Sequence, residues 1–411
     1  LNSEQILALT DTCVKCGLCL PHCPTYRKAV QEADSPRGRI AIVQGLLNEQ
    51  IPNTYSLNRR LSRCLECHAC EAVCPSKVPV THIIDATRAI LTARQPRYKR
   101  SLRYFLLNLA VRPAILLPLV RYYQHSWLRL LIQRSGILKF LQLDNADNLL
   151  PEYPIREIRG GNFPALNAIQ GSQYALRASA HPIAIFPGCI GRSIDANVIN
   201  AAIKILTCFG YQVSVPNQPC CCGALHRHDG FAARGDLELA NTVSLFKNYP
   251  HVLTLASACL AELRTSPDLS KTVVDANRFI ADIAWPDDLV IDTTPQTIWV
   301  HTPCTQRHPV KDPQAAIDLL THLPGVTPKP LPKNITCCGA AGTYMLKHQD
   351  ISLSLLADKI QIIKDVKATI VVTTNTGCAL RLKAGLRASN LEVRVCHPLE
   401  IVAELIKVTI L

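Results

Sequence analysis

Nowhere in this 411-residue chain does an apolar run reach the ~18 residues needed to cross a bilayer as a helix. The stretch from Leu102 to Ile132, rich in Leu, Tyr and Arg, is interrupted by Arg103, Arg112, Arg121 and Arg129 and broken by Pro113 and Pro118. No G-x-G-x-x-G follows a strand-like segment, which excludes the usual means of holding a dinucleotide. Leu1 to Thr12 carries neither an apolar leader nor a cleavage pattern. The 19 cysteines are therefore expected as reduced thiols, not as a disulfide framework. A start at Leu instead of Met suggests a clipped or alternative start, with a few residues missing. Acidic residues are absent from Arg94 to Lys139, where ten basic ones stand.

What is present is cysteine in a repeated spacing. Cys13-x2-Cys16-x2-Cys19-x3-Cys23-Pro24 recurs as Cys64-x2-Cys67-x2-Cys70-x3-Cys74-Pro75. This is the ruler of two-cluster ferredoxins, in which three thiolates hold one cubane and the fourth reaches to the other. Three cysteines at steps of three wrap a turn of chain around a cubane corner, and the proline ends the turn by removing a donor and fixing φ. Crossed ligation predicts one 4Fe-4S cluster on Cys13, Cys16, Cys19 and Cys74, and a second on Cys64, Cys67, Cys70 and Cys23. Structural zinc uses cysteine pairs across a long gap and suits two runs of four poorly. The spacing thus points to electron transfer through two clusters in series.

Residues 1–95 are expected to form this helical cluster domain. Ser35-Pro36-Arg37-Gly38 reads as an N-cap with proline at N1, opening a helix through Ile40, Ile42, Val43, Leu46 and Leu47. Val80 to Leu91 reads as another. Residues 96–180 form a basic Arg/Leu/Pro-rich connector, read as short helices covering the cluster domain or a partner, or as a peripheral contact with anionic lipid. From Asp144 to Ala180 the sequence reads as loop. Residues 1–180 hold 23 Lys+Arg against 12 Asp+Glu, and the remainder holds 21 against 19. Part of that excess would offset the anionic clusters.

The rest contains an internal repeat, expected as two α/β domains at 181–290 and 291–411. The first copy presents Cys189, Cys221-Cys222-Gly223 and Cys259, the second Cys304, Cys337-Cys338-Gly339 and Cys378. The single cysteine and the pair are separated by 31 residues in one copy and 32 in the other. Strands are predicted at Ile183–Phe186, Gln212–Val215, Val252–Leu255, Thr297–Val300, Thr369–Thr373 and Glu392–Val395. Helices at Gly235–Phe246, Ile351–Ile363 and Leu399–Ile406 alternate with them, so the sheets should be mostly parallel. The overall class is α+β multidomain: a ferredoxin-like helical domain followed by two repeated α/β CCG domains. For each set of four thiols three readings compete: an iron–sulfur or zinc centre, a redox dithiol, or packed thiols. Cys208, Cys220 and Cys396 read as core. His301, His308 and His397 flank the second copy, and His301 and His308 are within sequence reach of a centre on Cys304.

Cys13–Tyr26, Asp34–Arg39 (DSPRGR), Arg63–Ser76, Cys220–Leu225, Cys337–Tyr344 (CCGAAGTY) and His397–Glu400 together resemble the iron–sulfur subunit of bacterial glycolate oxidase. The resemblance implies a subunit whose FAD-binding partners oxidise glycolate or related 2-hydroxy acids, while the iron–sulfur chain passes electrons toward membrane quinone. It implies FAD on the partners only, a cytoplasmic location or one peripheral on the inner membrane, and no nucleic-acid partner. Lactate-utilisation and anaerobic glycerol-3-phosphate dehydrogenase complexes use similar subunits, and heterodisulfide reductases use similar CCG domains. Those last domains close with Cys-x-x-Cys. Here Glu262 and Arg381 stand at the closing positions. Glu262 could ligate through oxygen; Arg381 cannot.

Overall fold

In the computed structural model of the chain, the described residues are 1–112, 117–125, 127–140, 144–150, 157–165, 182–287 and 289–407. Helices Ser3–Asp11, Pro36–Leu47 and Val80–Ala93 pack through Ile6, Ile40, Val43, Ile83 and Ile84, all nearly or fully buried. Cys13, Cys64, Cys70 and Cys74 rest against this core, so the helices form the dry wall behind the thiols. The Ser35 hydroxyl accepts from Gly38 N at 2.9 Å, with Pro36 opening the helix as predicted. Short helices follow: Arg97–Val111, Leu117–His125, Trp127–Arg134 and Ile137–Phe140.

Two segments expected as loop are regular. Asp144–Leu149 is helical, and Gly161–Phe163 (β1) is an edge strand. Three residues carry no periodicity of their own; β1 exists because it pairs antiparallel with Val213–Val215 (β3). Residues 151–156 and 166–181 of that predicted loop lie outside the described residues.

The first repeat is a parallel sheet of Ile183–Phe186 (β2), β3, His251–Thr254 (β4) and Val273–Asp275 (β5), in the order β1-β3-β2-β4-β5. The second places Gln296–His301 (β7), Val326–Pro330 (β8), Ile370–Thr373 (β9) and Arg394–Cys396 (β10) in the parallel order β10-β9-β7-β8. A small pair, Val290–Ile291 (β6) with Ile406–Lys407 (β11), ties the chain's end back. One apolar core spans both repeats, with Ile185, Ile199 and Leu253 on one side and Ile298, Leu319 and Val402 on the other. The N-terminal region is fastened to both. Arg88 Nη1 donates to His228 O at 2.9 Å, and Arg63 Nη2 to Asp350 Oδ2 at 2.9 Å.

Candidate functional site

The motif DSPRGR shapes the first cysteine run from beneath. Asp34 is fully buried and accepts Arg39, Arg60 and Arg63. Arg37 Nη1 donates to Lys15 O at 3.1 Å, fixing the turn around Cys16, where the flanking Lys15 and Gly17 take positive φ. Gly38 leaves no room for a side chain, since a Cβ would lie 1.9 Å from Glu32 O. Arg39, 1% exposed, places Nη1 4.0 Å from Cys23 Sγ and feels the charge of Cys64 as well.

A small cavity is lined by Cys23, Cys64, Cys67, Cys70 and Arg39. This brings together the four thiols predicted for the second cluster, including the one contributed by the other run. Burial pushes Cys64, Cys67 and Cys70 above the ordinary thiol range, and neighbouring thiols add to the rise at Cys67 and Cys70. A metal centre held here displaces the protons of these thiols, and the clustered sulfurs are soft ligands for it. Cys19 likewise rises through burial, with the charges of Cys13 and Cys23 adding to it. Cys16 is exposed, Cys23 and Cys67 are buried, and the other five cysteines of the two runs are half-buried.

Each repeat gathers its four thiols at the ends of parallel strands, where α/β sites collect. Cys259 lies in helix Ser257–Leu263 after β4, and Cys378 in helix Thr376–Ala388 after β9. Gly223 (φ 85°) and Gly339 (φ 82°) turn the chain directly after the cysteine pairs. Gly223 N donates to Cys221 Sγ at 3.4 Å and Gly339 N to Cys337 Sγ at 3.3 Å. Cys222 Sγ and Cys259 Sγ are 3.6 Å apart, and Cys338 Sγ and Cys378 Sγ 3.2 Å. Cys189 meets Cys221, and Cys304 meets Cys337. Hydrogen bonds from Cys189 and Cys222 hold Cys221 well below the ordinary thiol range, and those from Cys337 and Cys378 do the same for Cys338. Such converging thiols offer soft ligands to zinc or an iron–sulfur centre.

His301 is 2% exposed and donates to or accepts from Thr373 Oγ1 at 2.9 Å. One of its ring nitrogens lies within 4.8 Å of both Cys338 and Cys378 sulfurs. Burial holds it at about 4, hence neutral and able to ligate. His308 follows helix Cys304–Arg307 and is also lowered to about 4 by burial. His397 is structural: it caps helix Pro398–Leu405 and its Nε2 meets Leu255 O at 3.1 Å. Cys208, Cys220 and Cys396 are buried. Glu262 is engaged by Arg227, and Arg381 is buried beside Ser352.

Both thiol sets face one cavity of about 1430 Å³ between the N-terminal region and the repeats. The second set goes further. Leu65, Cys67 and Ala69 share an apolar cluster with Cys337, Tyr344, Ile351 and Leu355, against which Cys304 packs. Cys67 of the second cysteine run therefore abuts the second repeat's thiols. Sequence reasoning missed this juxtaposition and the buried cations Arg39 and Lys359, because spacing along a chain carries no information on which distant segments meet.

Residues 10–78 match the 4Fe-4S dicluster domain family, and residues 183–264 and 298–383 match the cysteine-rich domain family. The chain is 28% identical to the probable glycolate oxidase iron–sulfur subunit of Bacillus subtilis (strain 168), across 95% of this chain and 93% of that protein. It is 28% identical to the glycolate oxidase iron–sulfur subunit of Escherichia coli (strain K12), across 98% and 95%. The chain is a relative of these iron–sulfur subunits. The lactate utilization protein A of Anoxybacillus flavithermus is 25% identical over 53% of this chain and 98% of its own length. The chain thus carries a 4Fe-4S dicluster domain and two cysteine-rich domains, and is similar over nearly its whole length to glycolate oxidase iron–sulfur subunits.

Proposed function

We propose that this chain is the iron–sulfur electron-transfer subunit of a flavoenzyme complex that oxidises glycolate. Partner subunits hold FAD and take two electrons from the 2-hydroxy acid; this chain accepts them singly and passes them toward membrane quinone. Clusters supply the one-electron steps. One 4Fe-4S cluster is held by Cys13, Cys16, Cys19 and Cys74, the other by Cys23, Cys64, Cys67 and Cys70. Residues 1–95 form the cluster domain, 96–180 the connector, and 181–290 and 291–411 the two CCG domains. The reading is carried by the packing of Cys67 against Cys304 and Cys337, which supports a continuous line of sulfur sites. Arg39 keeps a fixed positive charge beside Cys23 and Cys64, which favours an anionic occupant.

Among the described residues no helix is long and apolar enough to cross a membrane. The route to quinone is instead peripheral, through the connector. Its helices leave Leu102, Phe105, Leu106, Tyr122 and Trp127 exposed, on a segment with ten basic residues and no acidic one. This composition fits an anionic cytoplasmic bilayer face.

The test uses the anaerobically assembled complex. With Cys67→Ser, glycolate still reduces the partner flavin while reduction of an external acceptor is lost. Acceptor reduction at the wild-type rate would refute the relay. A partner that oxidises lactate or glycerol 3-phosphate but not glycolate would reassign the substrate. Disulfide turnover by the chain alone would place the chemistry in the CCG domains.

A further inference from the structure

Lys359 and Arg381 are cations enclosed in the second repeat. Lys359, on helix Gln349–Asp365, is 0% exposed, and its Nζ donates to Lys333 O at 3.2 Å. Arg381 is 2% exposed; its Nη2 donates to Ser352 Oγ at 2.7 Å, and its Nε has no partner. Among the described residues neither pairs with a carboxylate. Ser352 Oγ, which accepts from Arg381, donates to Gly339 O directly after Cys338 at 2.7 Å, and the acidic groups around Lys359 are the thiols Cys338, Cys337 and Cys378, with the Arg307 guanidinium facing it as well. An unpaired buried charge costs several kcal/mol, and a guanidinium cannot shed its proton to escape that cost. Burial lowers Lys359, so the Arg381 guanidinium is the fixed charge, and an anionic thiol set both balances it and keeps Lys359 protonated.

The first repeat lacks this arrangement. A Cβ on Gly223 would meet Gly235 O, and one on Gly339 would meet Ser352 O, so the two contacts align the repeats. Seven residues past each contact stand Thr242 and Lys359. The Thr242 hydroxyl is neutral and exchanges hydrogen bonds with Cys221 N and O at 3.1 and 2.8 Å. Three residues past the last cysteine stand Glu262 and Arg381. Glu262 is already neutralised by Arg227. Three residues before the first cysteine, Phe186 stands where the second repeat has His301. One repeat thus surrounds its thiols with a hydroxyl and a closed ion pair, the other with the enclosed cations Lys359 and Arg381 and, beside Cys304, Arg307.

We propose that Cys304, Cys337, Cys338 and Cys378 hold an anionic iron–sulfur centre whose buried counter-ions are Lys359 and Arg381, positioning residues that raise its reduction potential. The inference rests on the electron-relay reading and gives the second repeat a role in it. Reduction adds one negative charge, which a nearby fixed cation favours. The electron comes from the reduced cluster beside Cys67, which is oxidised by one; no bond or proton changes. The second repeat is thereby the better electron acceptor of the two.

The full chain with its flavoprotein partners, purified without oxygen, tests this by metal analysis and potentiometric paramagnetic resonance. Iron above the roughly eight atoms expected for two cubanes is required. Lys359→Met and Arg381→Met should each move one signal to lower potential, leave the cubane signals in place, and Lys359→Arg should restore it. Should the Met variants not accumulate, Cys378→Ala decides: it must delete that signal alone. Iron confined to the cubanes, zinc at the second repeat, or a signal unmoved in both Met variants overturns the proposal while the relay stands. Absence of the cubanes themselves overturns both.

Discussion

Arg39 lies between the two cysteine runs with its guanidinium 4.0 Å from Cys23 Sγ and its other face on Asp34. The pair is enclosed, with side-chain exposures of 2% and 0%. Asp34 is also met by Arg60 and Arg63, so removing Arg39 leaves the carboxylate paired but takes away the cation beside Cys23 and its hydrogen bonds to Arg60 O and Thr25 Oγ1.

Arg39→Met should therefore destabilise the chain by about 1–3 kcal/mol. Thermal unfolding of the metal-loaded protein measures this. Arg39→Lys should recover only part, because Arg39 also bridges Arg60 O at 2.9 Å and Thr25 Oγ1 at 3.0 Å with a planar fork. Wild-type stability in Arg39→Met would show that the charge is not needed there.

Gly339→Ala should selectively damage the second thiol set. The residue has φ 82°, and a Cβ would lie 2.5 Å from Ser352 O. Both the left-handed backbone and the close approach disfavour alanine, together by roughly 1–3 kcal/mol. The expected readout is a lower unfolding temperature and lost reactivity differences among Cys304, Cys337 and Cys378 by thiol labelling. Unchanged labelling and unfolding would contradict it.

Acid should weaken the fold below about pH 6.5. Loss of hydration holds His348 at about 4 and His397 at about 3. The unfolded chain takes up these protons first, so stability falls as pH drops from about 6.5 toward 4, by about 1.4 kcal/mol per unit per ring. Asp195 opposes this: burial raises it to about 6, so the folded chain binds its proton first and gains stability on acidification below about 6. His301 and His308, also held at about 4, act in the same direction, and together the rings outweigh the raised carboxyls Asp195 and Asp275. Unfolding midpoints at pH 7, 6 and 5 should decline, and His397→Asn, which keeps a cap, should flatten the decline. A midpoint that rises on acidification would defeat the argument.

The connector should bind anionic vesicles. Phe105 is 59% and Trp127 72% exposed, and burying one such ring is worth about 1.5–3 kcal/mol. Phe105→Ala with Trp127→Ala should weaken co-sedimentation with phosphatidylserine-containing vesicles by roughly tenfold or more, leaving reduction of a soluble acceptor unchanged. No wild-type binding to such vesicles would defeat the lipid contact.

The local grammar of the chain was open to reading from its residues. Ser35 and Pro36 announce their helix because capping and proline geometry act within one turn. The strands of both repeats announce themselves by apolar runs between turns. The ferredoxin ruler is legible because ligands of one metal corner must come from neighbouring residues. Other features were not: Gly161–Phe163 becomes a strand only beside Val213–Val215, and Glu262 and Arg381 differ in meaning from a missing ligand once Arg227 and Ser352 are seen beside them.

The amino-acid order alone thus determined that two cysteine runs and two thiol-bearing α/β repeats exist, since each depends on short-range spacing. Only the tertiary structure decided that Cys67 abuts the second repeat and that Lys359 and Arg381 are sealed within it. Those outcomes come from the packing of segments hundreds of residues apart, where burial removes water and makes charge and contact depend on the whole fold.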